Sequence, residues 1–297
     1  MERVLVTGVS GPIGAVLLPY LESQGAQIFR LVRGPARGPE QVSWDPLKPI
    51  SPKAVSGFDA VVHLAGESIV GRWTDEKKRV ICESRVLGTR HLADALAHAG
   101  QKPKVFLCAS AVGYYGNRGD EVLTEESPGG QGFLAAVSRQ WEEATQPAAK
   151  AGIRTLNLRI GLVLSPKGGA LEKMLTPFKF GLGGKIGSGQ QWWSWIHVDD
   201  IVGAVHYTMH AETLSGPVNL VSPNAARNSD FTKTLASVLG RPTLLPLPAF
   251  AARLAFGAEM ANELLLSSAH VEPGRLLATG YSFRFPDLRA ALDDLVG

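Results

Sequence analysis

Eight residues near the start constrain this chain more than any other stretch. Thr7-Gly8-Val9-Ser10-Gly11-Pro12-Ile13-Gly14 directly follows the apolar run Val4-Leu5-Val6 and opens a helical pattern over Pro12 to Ser23. Glycines at this spacing carry weight only between a strand and a helix, which is where they stand. Gly8 allows the tight turn, Gly11 lets the backbone approach a diphosphate, and Gly14 lets helix and sheet pack closely. The N–H groups of the helix start, Ile13 among them, then favour the diphosphate charge. A glycine-rich turn without a ligand is the alternative. Pro12 has no N–H to give a phosphate oxygen. A hydrogen bond to a charged group is worth about 1.5–3 kcal/mol, so weakened rather than abolished binding is expected. Pro19 removes a bond to Ala15 and predicts a kink or an early helix end.

The rest of the chain repeats strand and helix. Val4 to Val6, Ile28 to Val32, Ala60 to Val62, Val105 to Leu107 and Thr155 to Val163 read as buried parallel strands. Pro12 to Ser23, Asp75 to Ala99 and Gly132 to Ala151 read as the helices between them. Such alternation predicts an α/β fold, a Rossmann-like doubly wound parallel sheet. After about Pro166 glycine clusters from Gly181 to Gly189, and Trp192, Trp193 and Trp195 follow. The strand–helix rhythm resumes over Trp195 to His210, Val218 to Val221 and Asn228 to Leu239, before a Pro-, Leu- and Ala-rich tail from Leu244. No low-complexity linker separates the parts. The expected division is a Rossmann domain over 1–165, completed by about 196–222. A smaller interleaved substrate-binding and lid region takes 166–195 and 223–297.

Composition excludes several classes. In 297 residues, 30 Lys and Arg against 27 Asp and Glu leave +3, too small an excess to argue for nucleic acid or anionic lipid. No apolar stretch approaches the roughly 20 residues that span a bilayer. The chain opens Met-Glu-Arg and runs straight into a strand, so no signal peptide and a cytoplasmic location are expected. Cys82 and Cys108 make neither a disulfide framework nor a metal quartet.

Cofactor preference is read at the end of the second strand, where an NAD site usually carries an acid for the ribose hydroxyls. Here Val32-Arg33-Gly34-Pro35-Ala36-Arg37 has none. Arg33 can clamp a ribose 2′-phosphate and Arg37 can assist, which predicts NADP(H). An exposed surface arginine is the alternative.

Together these motifs resemble the extended short-chain dehydrogenase/reductase superfamily. The glycine turn, His63-Leu64-Ala65-Gly66 and Trp195-Ile196-His197-Val198-Asp199-Asp200 carry that resemblance. Trp44-Asp45-Pro46, Ala65-Gly66-Glu67, Arg72-Trp73, Ser84-Arg85, Gly113-Tyr114-Tyr115-Gly116, Trp141-Glu142, Gly181-Leu182-Gly183-Gly184 and Gly187-Ser188-Gly189-Gln190 narrow it to an atypical branch of epimerase family proteins. The resemblance implies cofactor contacts at Val32, Arg33, Leu64, Ala65, Arg85 and Val163. Leu64, Ala65 and Val163 stand at carboxyl ends of strands, where open parallel sheets bind ligands. Ala65 and Gly66 are small enough for close approach. Arg85 reaches a phosphate or ribose, or makes a surface ion pair. Asp45 lies near the adenine or caps its own loop. Glu67 acts as acid or base, or bonds a ribose. The superfamily often pairs through the helices after its fourth and fifth strands, so a homodimer is an expectation.

Reaction chemistry is less legible. The superfamily uses a Tyr-x-x-x-Lys pair in which lysine lowers the tyrosine pKa. No tyrosine here has lysine four residues on; the aligned place reads Phe133-Leu134-Ala135-Ala136-Val137. The superfamily's hydroxyl aligns nearer Ala111, leaving Ser110 as a weak candidate on the opposite face. Tyr114 and Tyr115, after the fifth strand, are candidate replacement phenols, against the alternative that they pack under the loop. His197-x-Asp199 offers too few ligands for a metal, and Asp199 or Asp200 reads as the cap of a helix beginning at Ile201. Gly181 to Gly189 reads as a flexible lid. The three tryptophans read as a stacking surface or as core. Two functions follow: an NADP(H)-dependent oxidoreductase or epimerase-like enzyme on an unidentified small molecule, or an NADPH-binding regulator without turnover.

Overall fold

The structure, a computed structural model, describes residues 1–243 and 245–297. Leu244, the expected start of the tail, lies outside the described residues. The strands are β1 Arg3–Thr7, β2 Gln27–Val32, β3 Gln41–Ser43, β4 Ala60–His63, β5 Val105–Ala111, β6 Val122–Leu123, β7 Arg154–Ile160, β8 Leu162–Leu164, β9 Trp192–Trp193, β10 Trp195–His197, β11 Gly216–Leu220, β12 Ala226–Arg227 and β13 His270–Val271. The helices are α1 Pro12–Ser23, α2 Asp75–Ala97, α3 Phe133–Glu143, α4 Gln146–Lys150, α5 Gly169–Lys179, α6 Val198–His210, α7 Asn228–Val238, α8 Ala249–Phe256, α9 Ala258–Met260, α10 Gly274–Ala278 and α11 Leu288–Val296.

Seven strands form one parallel sheet in the order β11-β7-β5-β4-β1-β2-β3. The order reverses between β1 and β4, so their carboxyl ends open a crevice. Strand residues are apolar on both faces because helices cover both. Val4, Val6, Val62 and Leu107 pack with Leu17 and Leu21 of α1 and Ile201 and Val205 of α6. Leu5, Val61 and Phe106 pack on the other face with Leu92 and Leu96 of α2 and Trp141 of α3. Thr74 starts α2 by accepting the Lys77 N–H, with Asp75 and Glu76 in the first turn. A separate core forms where Leu171, Leu175 and Phe178 of α5 meet Trp193, Trp195, Phe231 and Leu292. The tail returns to the sheet half: β13 pairs with β6, and Leu276 of α10 lies in the core under α1 and α6. No described helix is long and apolar enough to cross a membrane.

Several sequence expectations are corrected. α1 continues past Pro19 to Ser23, so the early end is not observed. Leu17, Leu18 and Leu21 are buried against the sheet on either side of Pro19, and that packing outweighs one missing bond. Gly132 to Ala151 is two helices, α3 and α4, with Pro147 in the first turn of the second. Thr155 to Val163 splits at Gly161: β7 stays in the sheet while β8 pairs with β10. A Cβ on Gly161 would stand 2.4 Å from the Ser194 carbonyl oxygen, so this crossing needs glycine. α6 begins at Val198 rather than Ile201 and is capped by His197, whose Nδ1 accepts the Asp199 N–H. Asp200 turns instead to the tail, accepting the N–H groups of Arg284 and Phe285.

Candidate cofactor groove and the cleft beside it

The glycine turn is built by close approach. Gly8 has φ +72°, and a Cβ there would lie 2.5 Å from the Leu64 carbonyl carbon. A Cβ on Gly14 would lie 2.6 Å from the Gly8 oxygen, so Gly14 packs on the turn itself as well as opening the helix. Gly11 caps α1 without a side chain, and Pro12 is the first helical residue. The N–H groups of Ile13 and Gly14 are therefore the donors left at the helix start. The Thr7 hydroxyl accepts the Leu64 and Ala65 N–H groups at 3.1 and 3.2 Å, tying the end of β4 to the end of β1.

That hydroxyl begins a buried chain. Having accepted two N–H groups, Thr7 donates to His63 Nδ1 at 2.7 Å, which places the His63 proton on Nε2, facing Thr89 at 3.0 Å. Thr89 also accepts the Trp141 indole N–H at 2.8 Å. Complete burial pushes the His63 pKa down to about 3, so the imidazole is neutral. The turn, the end of β4, α2 and α3 are thus fixed by one neutral network.

Beyond the ends of β2, β3 and β4 lies a cavity of about 840 Å³, lined among others by Arg33, Trp44, Asp45, Pro46, Glu67 and Ser84. Arg33, exposed just past Val32, makes no ion pair among the described residues. Glu67 is bonded to Lys77 Nζ at 3.0 Å, and that bond, aided by the Lys77 and Arg33 charges, outweighs burial and lowers its pKa. Its N–H is held by the Ser84 hydroxyl. Arg85 stacks over Trp141 at 5.0 Å and donates to the Ile81 carbonyl. It lies beside Gly66, where a Cβ would come within 3.2 Å of the guanidinium carbon. Burial lowers the Arg85 pKa to about 10, and among the described residues no carboxylate pairs with it. Asp45 both lines the cavity and caps its loop through the Leu47 N–H. Arg37 donates its N–H to Gln41 and is not among the lining residues. Val163 of β8 pairs with Ile196, next to the Gly168–Gly169 turn that leans on Pro12.

The superfamily's catalytic place is occupied differently. Val137 is buried, and Phe133 packs edge-on to Trp73 at 5.1 Å. The N–H groups of Phe133 and Leu134 at the start of α3 both donate to the Glu263 carboxylate at 2.8 Å. Nothing in the sequence pointed to Glu263, which is 130 residues away. Ser110 is buried and donates to Glu142, which also holds Arg159 bidentately. Tyr115 is fully buried, donating to Asn219 and accepting from Arg159, and burial raises its pKa. Both hydroxyls are therefore engaged inside the protein, the packing alternative for Tyr115 and an unfavourable setting for Ser110 as a reacting group. Tyr114 remains half-buried, its ring 3.5 Å from the Arg159 guanidinium. Trp195 and Trp193 are core residues, while half-buried Trp192 stacks on His270 at 4.2 Å. Gly181 to Gly189 is not a free lid: Ile186 bridges to Leu247, its N–H donates to Asn228, and Gly187 and Gly189 are also hydrogen-bonded. Among the described residues no three His, Cys, Asp or Glu side chains converge as a metal site.

The strand order, the glycine turn and the groove over the sheet's switch point define a Rossmann fold of the extended short-chain dehydrogenase/reductase type. The chain belongs to the NAD dependent epimerase/dehydratase family, whose profile matches residues 4–220; a domain of unknown function matches 247–295. It is 40% identical to the epimerase family protein Mb2239 of Mycobacterium bovis over 291 residues, covering 97% of this chain and 96% of that one. It is 38% identical to the human epimerase family protein SDR39U1 over 301 residues, covering 99% of each. A crystal structure of that human protein with NADPH superposes with a TM-score of 0.91 at 36% identity over 99% of both chains.

Proposed function

We propose that this protein binds NADP(H) in the groove and uses it as an oxidoreductase or epimerase-like enzyme on a small molecule. The carrying observation is the unpaired Arg33 beside a cavity that has no acid at the end of β2. The residues fit the group: Gly8 and Gly14 let the turn close tightly against its own backbone and the end of β4, and Ile13 and Gly14 have N–H groups to give. Arg33 binds the 2′-phosphate, which a guanidinium can clamp through two parallel bonds. Arg85, a charge held near Gly66 without a carboxylate, takes a second anionic or ribose oxygen. Val32, Leu64, Ala65 and Gly66 supply walls close to the backbone, Glu67 bonds a ribose hydroxyl, and Val163 closes the far side. When bound, the cofactor would supply hydride chemistry at its nicotinamide ring. Tyr114 is the phenol left to exchange a proton, and Arg159 positions its ring. The sheet half over 1–165 and about 196–222 holds the cofactor, and 166–195 with 223–297 forms the substrate side. The human relative, whose structure is described as with NADPH, supports the choice of cofactor.

The test is a titration of NADPH and NADH against wild type and Arg33→Ala. Losing one charge-assisted bond of about 2 kcal/mol weakens NADPH roughly 30-fold and leaves NADH nearly unchanged. Equal weakening of both would defeat the assignment. A second reading, a cofactor-bound regulator without turnover, is favoured by Phe133 and Val137, neither of which can titrate. Oxidation of bound NADPH across a carbonyl and sugar-nucleotide panel, lost in Tyr114→Phe, selects the enzyme. Tight binding with no oxidation selects the regulator.

A further inference from the structure

The net charge of +3 conceals a strongly uneven distribution. Residues 173–198 and 231–258 contain no Asp or Glu, although acids make up 27 of the 297 residues, so that 54 residues would average about five. These two segments hold Lys173, Lys179, Lys185, Lys233, Arg241 and Arg253, all exposed. Among the described residues none of the six makes an ion pair. The same segments expose large apolar side chains. Phe180 is 77% exposed, Phe250 72% and Leu254 87%, and Leu182, Leu245 and Phe256 are also exposed.

The two segments are one surface. A Cβ on Gly181 would touch Pro242, and one on Gly184 would strike the Leu245 oxygen at 2.0 Å. Ile186 bridges to Leu247, and the Leu247 N–H donates to the Lys185 carbonyl. On α8, Phe250 and Leu254 are four residues apart and share a face, while Ala252 is buried behind them. Helices that pack on a core point their large apolar residues inward; α8 turns its Phe250 and Leu254 to solvent, with Arg253 exposed on the same helix and Lys185 joined to the Leu247 that leads into it.

We infer that the surface formed by Phe180, Leu182, Leu245, Phe250 and Leu254, with Lys179, Lys185, Arg241 and Arg253 around it, docks the protein peripherally on anionic lipid. The charge decides the occupant. A second copy would bring four unpaired cations against four more, whereas an anionic leaflet satisfies them while its acyl boundary takes the apolar side chains. Each cation adds to the attraction toward such a surface, and the attraction fades with salt.

The experiment is flotation of the full chain with vesicles of 40% phosphatidylglycerol in phosphatidylcholine, against pure phosphatidylcholine. Three proteins are compared: wild type, Phe250→Ser with Leu254→Ser, and Lys179→Glu with Lys185→Glu. Because these side chains are exposed, the variants should keep the wild-type melting temperature and NADPH affinity, which controls for folding. Wild type is expected on the anionic vesicles only, released by high salt, with partitioning at least about tenfold weaker in each variant. No flotation of wild type overturns the inference. So does undiminished flotation of the serine variant, which would mean adsorption without insertion. A dimer in solution that the serine variant dissociates, with no flotation, would assign the surface to a second copy instead. None of these outcomes depends on the cofactor.

Discussion

His63 shows how one residue carries both structure and a pH response. Its fold-state pKa of about 3 lies below the ordinary 6.5, because burial disfavours the cation. The unfolded chain therefore binds a proton that the folded chain refuses. Stability from this group is fully present above pH 6.5 and is lost as the pH falls toward 3. At pH 4.5 the loss is about 3 kcal/mol. Urea unfolding at pH 7.5 and 4.5 should show that extra decline in wild type and not in His63→Gln; an equal decline in both would contradict it. Residues of this kind divide sharply in how readable they were. The glycines were legible because their spacing states a backbone requirement. His63 was visible only within a resemblance, since its partners Thr7 and Thr89 lie 56 residues before it and 26 after it. For Tyr115 and Ser110 the sequence left reaction and packing both open, because a strand-end position says nothing about a hydroxyl already bonded to Asn219 or Glu142.

Among the elements, α3 is the one whose start is made by a distant segment. It begins at a glycine with φ +105° and no side-chain cap of its own. Glu263 supplies the cap, as acceptor and as a negative charge at the helix N-terminus. Glu263→Ala leaves two half-buried amides without partners and should cost about 1–3 kcal/mol in chemical denaturation. Faster hydrogen exchange at Phe133 and Leu134 should accompany it; unchanged exchange would rule out the cap. Element types were largely legible from periodicity, and boundaries less so. Pro147 and Gly161 each divide what apolar pattern alone read as continuous. At Pro19 the early end allowed by the local rule does not occur, because buried leucines hold α1 to the sheet.

Across the whole molecule, the tail is fastened by carboxylates that each take two N–H groups. Asp200 holds Arg284 and Phe285, and Glu125 holds Arg275 and Asn219. Leu276 and Leu292 are fully buried in different clusters, so the tail contributes to both cores. The chain should therefore unfold in one transition, with tryptophan fluorescence and far-UV circular dichroism coinciding. Trp44 and Trp141 report on the sheet half, and Trp193 and Trp195 on the other core. Two separated transitions would show independent domains. Asp200→Ala should lower the shared midpoint by about 2–4 kcal/mol of stability, as two bonds to a buried charge are lost. The sheet and its reversal were legible because alternation and handedness leave few topologies. The pinning of Gly181 to Gly189 was not, because glycine content signals freedom equally well where the backbone is merely crowded.

One last consequence concerns labelling chemistry. Cys108 is sealed in the core with its thiol pushed far up by burial, so it offers no thiolate to a reagent. Cys82 is partly open on α2, and its neighbours Glu83 and Ser84 line the groove. A maleimide fluorophore would thus attach at a single point, three residues from Arg85. Following the emission of that label in an NADPH titration would test for nucleotide in the neighbouring groove without any engineered cysteine.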